Sequence, residues 1–168
     1  MKKTLILVRH ATAEDHGLRL KDFDRELISK GLSESAIMGK WLVEKNMRPD
    51  HFVTSPAARA YKTAEIVADQ FQIDLSEIQL FDSLYDGGPK AYLQAVNSAP
   101  ENAERVVLFG HNPDISYFGE YLSGKNIGSM KKAGIVILEF EDLKWEEISA
   151  KTGTFISYIT PKEVKEAS

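Results

Sequence analysis

The chain has 168 residues, a length typical of one domain, and we expect a single domain over residues 1–168. The net charge of −4 excludes nucleic-acid binding that depends on a broadly basic domain, and the lack of cysteine excludes disulfides and thiolate metal sites. The first apolar run ends at Val8, shorter than the core of a signal peptide, and no stretch has the length of a membrane span. We therefore expect a cytoplasmic enzyme or binding domain, present as a monomer.

Apolar and polar segments alternate from the start of the chain. Thr4–Val8 is apolar on both faces, which predicts a central strand. The polar segment Arg9–Ser29 follows it. Because loops of this length are uncommon unless they serve a function, it is a candidate wall for a site, with a solvated connection as the alternative. The apolar spacing of Gly31–Asn46 predicts a helix.

The middle of the chain repeats this alternation. We predict a strand at His51–Thr54, followed by a helix that Ser55 caps and Pro56 opens. A third strand is predicted at Ile78–Phe81, with a glycine-rich loop after it.

The last third continues in the same way. Asn112 is predicted to cap a helix that Pro113 opens and that ends near Leu122. The segment 143–148 fits either a helical turn or a strand, and 161–168 is predicted to be a frayed tail. The other elements predicted here are a helix at Lys90–Asn97 and strands at Arg105–Phe109, Ile135–Phe140 and Thr154–Ile159.

The alternation of strands and helices predicts an α/β domain with a largely parallel sheet. In such sheets ligands bind beyond the carboxyl ends of the strands. Three predicted strand ends carry basic or imidazole side chains: Arg9 with His10, then Arg59, then His111. No single one of these residues is specific, but their joint placement predicts one site.

Two arginines, two histidines and helix N-termini suit a phosphoryl group. A guanidinium group binds phosphoryl oxygens through two parallel hydrogen bonds, and helix N-termini favour anions. A neutral imidazole can attack phosphorus and form a covalent intermediate, while the second imidazole stabilises the phosphoryl oxygens. Phosphoryl transfer chiefly needs this kind of positioning and charge stabilisation.

Four short motifs carry a family resemblance. Arg9-His10 ends the first strand, residues 55–64 match Ser-Pro-x-x-Arg-Ala-x-x-Thr-Ala, and residues 110–113 read Gly-His-Asn-Pro. These motifs resemble the histidine phosphatase superfamily. Asp24-Arg25-Glu26-Leu27 with Gly31 resembles the Asp-x-x-Arg-x-Leu-Thr-x-x-Gly pattern of its SixA-type phosphohistidine phosphatases. The resemblance covers about residues 4–122, and residues 160–162 are also similar to that branch.

The resemblance implies a three-layer α/β/α sandwich with a central, mostly parallel sheet of the phosphoglycerate mutase-like kind. The length leaves little room for a cap domain, so we expect none and an open pocket. An open pocket suits a phosphate on a protein surface. The expected partner is therefore a signalling or phosphotransfer protein that carries phosphohistidine.

The resemblance also implies residue roles. His10 would take the phosphoryl group, while Arg9, Arg59 and His111 would bind it. Ser55 would orient the pocket, and Asn112 would contribute its backbone N–H. Ala11 stands where the family more often has glycine, and it fits if its backbone φ is negative.

The general acid is the least defined role. Ester-cleaving branches of the family use a glutamate from the loop after the third strand, and the nearest counterpart is Asp86, with Asp82 as a second candidate. The alternative for Asp86, beside two glycines, is an ordinary turn residue. A phosphohistidine substrate needs such an acid less, because its P–N bond breaks readily once the ring is protonated.

Three functions fit the sequence. The first is a SixA-type protein phosphohistidine phosphatase, the second a small-molecule phosphomonoesterase of the same superfamily, and the third a phosphate-binding module without catalysis. His16 is expected to be solvated and His51 structural, and no metal-binding motif is present. We therefore expect no metal and no other cofactor, and no nucleic-acid or membrane partner.

Overall fold

A six-stranded sheet forms the centre of the fold in the computed structural model, which describes residues 1–17 and 21–168. The strands are β1 (Lys2–Arg9), β2 (His51–Thr54), β3 (Ile78–Leu80), β4 (Arg105–Gly110), β5 (Ile135–Glu141) and β6 (Thr154–Ile159). Their spatial order is β3-β2-β4-β1-β5-β6. The β1–β4, β2–β4 and β2–β3 pairs are parallel, and β5 is antiparallel to both of its neighbours. The predicted mostly parallel sheet is therefore confirmed.

Helices cover both faces of this sheet. They are α1 (Ser29–Glu44), α2 (Ala58–Gln70), α3 (Pro89–Asn97), α4 (Asp114–Ser123) and α5 (Pro161–Ala167). Successive side chains of a strand point to opposite faces. Ile6 and Val8 of β1 accordingly pack with residues of α1 and α2, whereas Leu5 and Leu7 pack with residues of α3 and α4. This is the expected three-layer α/β/α sandwich, and the described residues form no separate cap domain.

The predicted N-caps of two helices are wrong. Ala57 stands at the N-cap of α2 and Pro113 at that of α4, so each helix begins later than expected. Ser55 Oγ accepts the backbone N–H of Ala57 at 3.2 Å and also contacts His111. The Asn112 side chain donates to the carbonyl oxygen of Met130 at 3.2 Å. Ser55 thus bonds the turn before α2 and a tertiary partner, Asn112 bonds a tertiary partner, and neither residue is the N-cap of its helix.

The tail is also more ordered than predicted. Thr160 Oγ1 accepts the N–H of Glu163 at 3.3 Å, and the Glu163 carboxylate accepts the N–H of Thr160 at 3.1 Å. This reciprocal capping box starts α5, and Val164 packs against the core on the α1 side. The ambiguous segment 143–148 contains a 3-10 turn at Trp145–Glu147, in which the Trp145 ring is buried.

The segment after β1 lies tightly against the start of α1. The N–H of Ile28 donates to the carbonyl oxygen of Thr12 at 3.1 Å. A Cβ atom added to Gly31 would lie 2.1 Å from the same oxygen, so only glycine allows this approach. The contact fixes the backbone that leads from β1 into the predicted wall segment Arg9–Ser29, of which residues 18–20 lie outside the described residues.

Gly31→Ala is therefore expected to destabilise the fold although alanine favours helices. The added methyl group meets backbone, and overpacking of this kind lowers the free energy of unfolding by about 1–3 kcal/mol. Urea denaturation would measure it. Ser33→Ala, at an exposed position of the same helix, is the control and should be neutral or slightly stabilising. An unchanged denaturation midpoint for Gly31→Ala would contradict the close approach.

Candidate active site

His10 follows β1 directly and lines a cavity at the carboxyl edge of the sheet. Its ring is buried, and its Nδ1 lies 2.8 Å from the carbonyl oxygen of Ala11. A carbonyl oxygen only accepts, so Nδ1 carries the proton and Nε2 keeps its lone pair. Burial lowers the pKa of His10 to about 3. The hydrogen bond to Ala11 acts to raise this pKa, whereas His111, Arg59 and Arg9 lower it further. His10 is thus a neutral imidazole with a free nucleophilic nitrogen.

His111 follows β4 and lies beside His10, with 5.3 Å between the ring centroids. Its Nε2 is 2.8 Å from Ser55 Oγ, and its backbone N–H donates to Tyr92 Oη at 2.9 Å. The Nδ1 atom is buried and has no hydrogen-bond partner among the described residues. Burial, followed by the charge of Arg59, lowers the pKa of His111 to about 4. Ser55 thus holds the ring of His111, and Tyr92 holds the backbone of the same residue.

The two arginines are held by different kinds of acceptor. Arg9 Nη1 donates to the carbonyl oxygen of Met130 at 2.8 Å. Arg59 Nη1 and Nη2 donate to the backbone and side-chain oxygens of Asp22, at 2.9 and 3.0 Å. Within residues 1–17 and 21–168, the buried Nε atoms of both arginines lack a hydrogen-bond partner. Both residues line the cavity, so an anion bound there would lie beside two guanidinium cations.

Asp22 is the site residue that the sequence interpretation missed. Its Oδ2 accepts from Tyr85 Oη at 2.8 Å as well as from Arg59, and its Oδ1 accepts from Arg25 Nε at 2.9 Å. Partial burial acts to raise the pKa of Asp22, but the hydrogen bond from Tyr85 and the charges of Arg59 and Arg25 lower it to about 2. The available signal was spacing: the Asp-x-x-Arg pattern that we assigned to Asp24 runs from Asp22 to Arg25.

The cavity has a volume of about 460 Å³ and brings the predicted phosphate-binding residues together. Its lining comprises Arg9, His10, Ala13, Asp15, His16, Asp22, Arg25, Arg59, His111, Asn112 and Lys132. Seven of these residues come from the segment Arg9–Ser29, so the described part of that segment forms a wall of the cavity as expected. Ala11 lies behind His10, fully buried, and is not among the residues with positive φ.

Asp86 does not join this group. It is exposed and is not among the described residues that line the cavity, and Asp82 is exposed as well. A 3-10 turn at Asp82–Leu84 brings Tyr85 toward the site, where its ring lies edge-on to His111 at 5.9 Å. The structure therefore places Tyr85, and not its neighbour Asp86, at the site.

Among residues 1–17 and 21–168, no group of His, Asp and Glu side chains is placed to hold a metal ion. None of the helices that these residues form is long and apolar enough to cross a membrane.

Comparison with known proteins places the chain in a family. Residues 5–86 match the model of the histidine phosphatase superfamily (branch 1). An uncharacterized protein of Picosynechococcus is 31% identical over 143 residues, which cover 79% of this chain and 82% of that protein.

Two solved structures are similar over nearly the whole chain. One is a candidate phosphohistidine phosphatase SixA from Agrobacterium tumefaciens, with 25% identity, a TM-score of 0.78 and coverage of 95% of this chain and 98% of the other. The second is the protein histidine phosphatase SixA complexed with tungstate, with 25% identity, a TM-score of 0.79 and coverage of 95% and 97%. The chain belongs to the histidine phosphatase superfamily, in its SixA-type branch, and is an enzyme of the phosphatase type.

The buried imidazoles predict how the protein responds to pH. Above pH 5 the rings of His10 and His111 should remain neutral, which NMR titration of the histidine side chains would show. The unfolded chain binds these protons near pH 6.5, whereas the folded chain binds them only near pH 3 and 4. The free energy of unfolding should therefore fall as the pH drops from 6.5 to 5, on the order of 2 kcal/mol for each ring. Protonation of either ring between pH 6 and 7 would contradict the assignment.

Proposed function

We propose that the chain is a single-domain phosphatase in which His10 takes the phosphoryl group from phosphohistidine on a signalling or phosphotransfer protein. The observation that carries this proposal is the state of His10. Its ring is buried and neutral, its Nδ1–H is fixed on Ala11, and it lies between two arginines and a second imidazole. Such a ring can attack phosphorus, and hydrolysis of the resulting phosphohistidine returns it to the neutral form.

The residues supply each part of a two-step transfer. The Nε2 lone pair of His10 forms a bond to phosphorus, while the bond to the leaving atom breaks and its electron pair departs with the leaving group. The hydrogen bond from Nδ1–H to Ala11 stabilises the positive charge that develops on the ring. Water then attacks the phosphorylated His10, which releases inorganic phosphate and the neutral ring.

The phosphoryl oxygens would be held by the guanidinium groups of Arg9 and Arg59 and by the ring of His111, which line the cavity. The ring atom Nδ1 of His111 has no hydrogen-bond partner among the described residues. Ser55 Oγ accepts from Ala57 and can donate its own proton to His111 Nε2, which leaves the ring proton on Nδ1. The similar SixA structure that is complexed with tungstate, a tetrahedral oxyanion like phosphate, supports this use of the fold.

The carboxylates near the site favour a P–N bond over an ester. Among the described residues, Asp15 and Asp22 are the carboxylates that line the cavity. Asp22, with a pKa of about 2, holds no proton to give to an ester oxygen. Asp86 is exposed and outside the lining. A protonated phosphohistidine ring leaves without such an acid, and a cavity without a cap domain in the described residues is accessible to a protein surface.

His10→Ala should abolish both labelling and turnover. Incubation of the full chain with a ³²P-phosphohistidine protein, quenched at alkaline pH, should label the wild type, whereas the variant should lose the label and about a thousandfold or more in kcat. His51→Asn is the matched control, since His51 lies at the start of β2, away from the carboxyl edge, and should keep both.

The same assay separates the alternative functions. Turnover of a sugar phosphate or nucleotide without turnover of phosphohistidine would favour the small-molecule phosphomonoesterase. Phosphate binding without label or turnover would favour the non-catalytic module.

Asp86→Ala tests the general acid. We expect the rate on phosphohistidine to stay unchanged, because the protonated ring of the substrate needs no acid. The measurement is kcat/KM on phosphohistidine and on an aryl phosphate, with the wild type alongside. A loss confined to the ester would assign Asp86 as the acid, and a loss on phosphohistidine would contradict the expectation.

A further inference from the structure

An imidazole ring of the protein itself meets a carboxylate at the mouth of the cavity. His16 Nδ1 lies 3.5 Å from Asp22 Oδ1, and both residues line the cavity with His10. The His16 side chain is 79% exposed, whereas that of Asp22 is 35% exposed. An imidazole that enters from solvent can therefore reach this carboxylate without a rearrangement of the core.

Asp22 has room for one more donor on this side. A carboxylate offers about four acceptor positions. Within the described residues, Oδ2 accepts from Arg59 and Tyr85, while Oδ1 accepts from Arg25. The remaining acceptor position is therefore on Oδ1, the oxygen that faces His16.

We infer that the imidazole of the substrate phosphohistidine displaces His16 and donates its ring N–H to Asp22 Oδ1. Asp22 thereby selects a phosphorylated imidazole over a phosphate ester. This inference rests on the proposed function and adds to it a residue that determines the leaving group.

The charge balance of the reaction explains the selectivity. The substrate ring carries the phosphoryl group on one nitrogen and a proton on the other, so the ring is cationic. As His10 Nε2 bonds to phosphorus, the P–N electron pair passes to the substrate ring, which leaves as neutral imidazole with its N–H on Asp22. An ester oxygen would instead leave with negative charge, and the ionised Asp22 would oppose that charge.

Asp22 also holds Arg59, so its loss affects phosphate binding in general. That second effect does not depend on the leaving group and must change the rates on all substrates by a similar factor. The ratio of kcat/KM on two substrates separates the two roles.

The test uses the full chain with Asp22→Asn, which keeps the shape of the side chain and removes its charge. We expect kcat/KM on a phosphohistidine peptide to fall at least about tenfold more than kcat/KM on p-nitrophenyl phosphate, since a hydrogen bond to a charged group is lost with one substrate only. Tyr85→Phe removes one hydrogen bond to Asp22 but keeps the charge, so the ratio should stay near that of the wild type. Equal losses on both substrates in Asp22→Asn would overturn the inference and leave the proposed function standing.

His16→Ala is a second and independent test, at an exposed position that the fold does not depend on. Removal of the competing ring should lower KM for the phosphohistidine peptide and leave kcat unchanged. An unchanged or higher KM would contradict displacement of His16. A wild type that turns over esters but not phosphohistidine would overturn the proposed function itself.

Discussion

The parallel pairing of β1 and β2 with β4 is the constraint on which the candidate site depends. The register sets Arg9 opposite Gly110 and Thr54 opposite Phe109. The next residues continue the ladder: the N–H of His10 donates to Gly110 and that of Ser55 to Phe109, each at 3.0 Å. A shift of one residue would turn every side chain of the strand to the other face. The backbone therefore sets the separation of the catalytic candidates before any of their side chains interact.

Charge and burial act together at this sheet edge. Burial alone lowers the pKa values of His10 and His111, and the arginines that would hold a phosphate lower them further. In the proposed reaction the same cations would have two roles, because they would attract the anionic substrate and keep the imidazole that attacks phosphorus deprotonated. Neutral rings also avoid the cost of burying two more positive charges beside Arg9 and Arg59.

The parts of the molecule that follow local rules were predictable from the sequence. Arg9 ends an apolar strand, and His10 and His111 each directly follow one. The topology of parallel sheets brings such residues together. The capping box of Thr160 and Glu163 was an equally local signal that we did not use. Asp22 was different, because its partners Arg59 and Tyr85 lie 37 and 63 residues away in the chain. Ser55 and Asn112 were predicted to be caps for the same reason, because their tertiary partners His111 and Met130 are distant in the sequence and give no local sequence signal.

The contrast between the two arginines points to the leaving group. Arg9 is oriented by a neutral carbonyl oxygen of Met130, which shows that this fold can hold a guanidinium without a carboxylate. Arg59 is oriented by the ionised Asp22, which partly neutralises it and weakens its attraction for phosphate. For phosphate binding alone this arrangement is a disadvantage. It becomes favourable in the proposed reaction, where the substrate ring is cationic until the P–N bond breaks, since the carboxylate would then stabilise that ring next to the anion that Arg59 would bind.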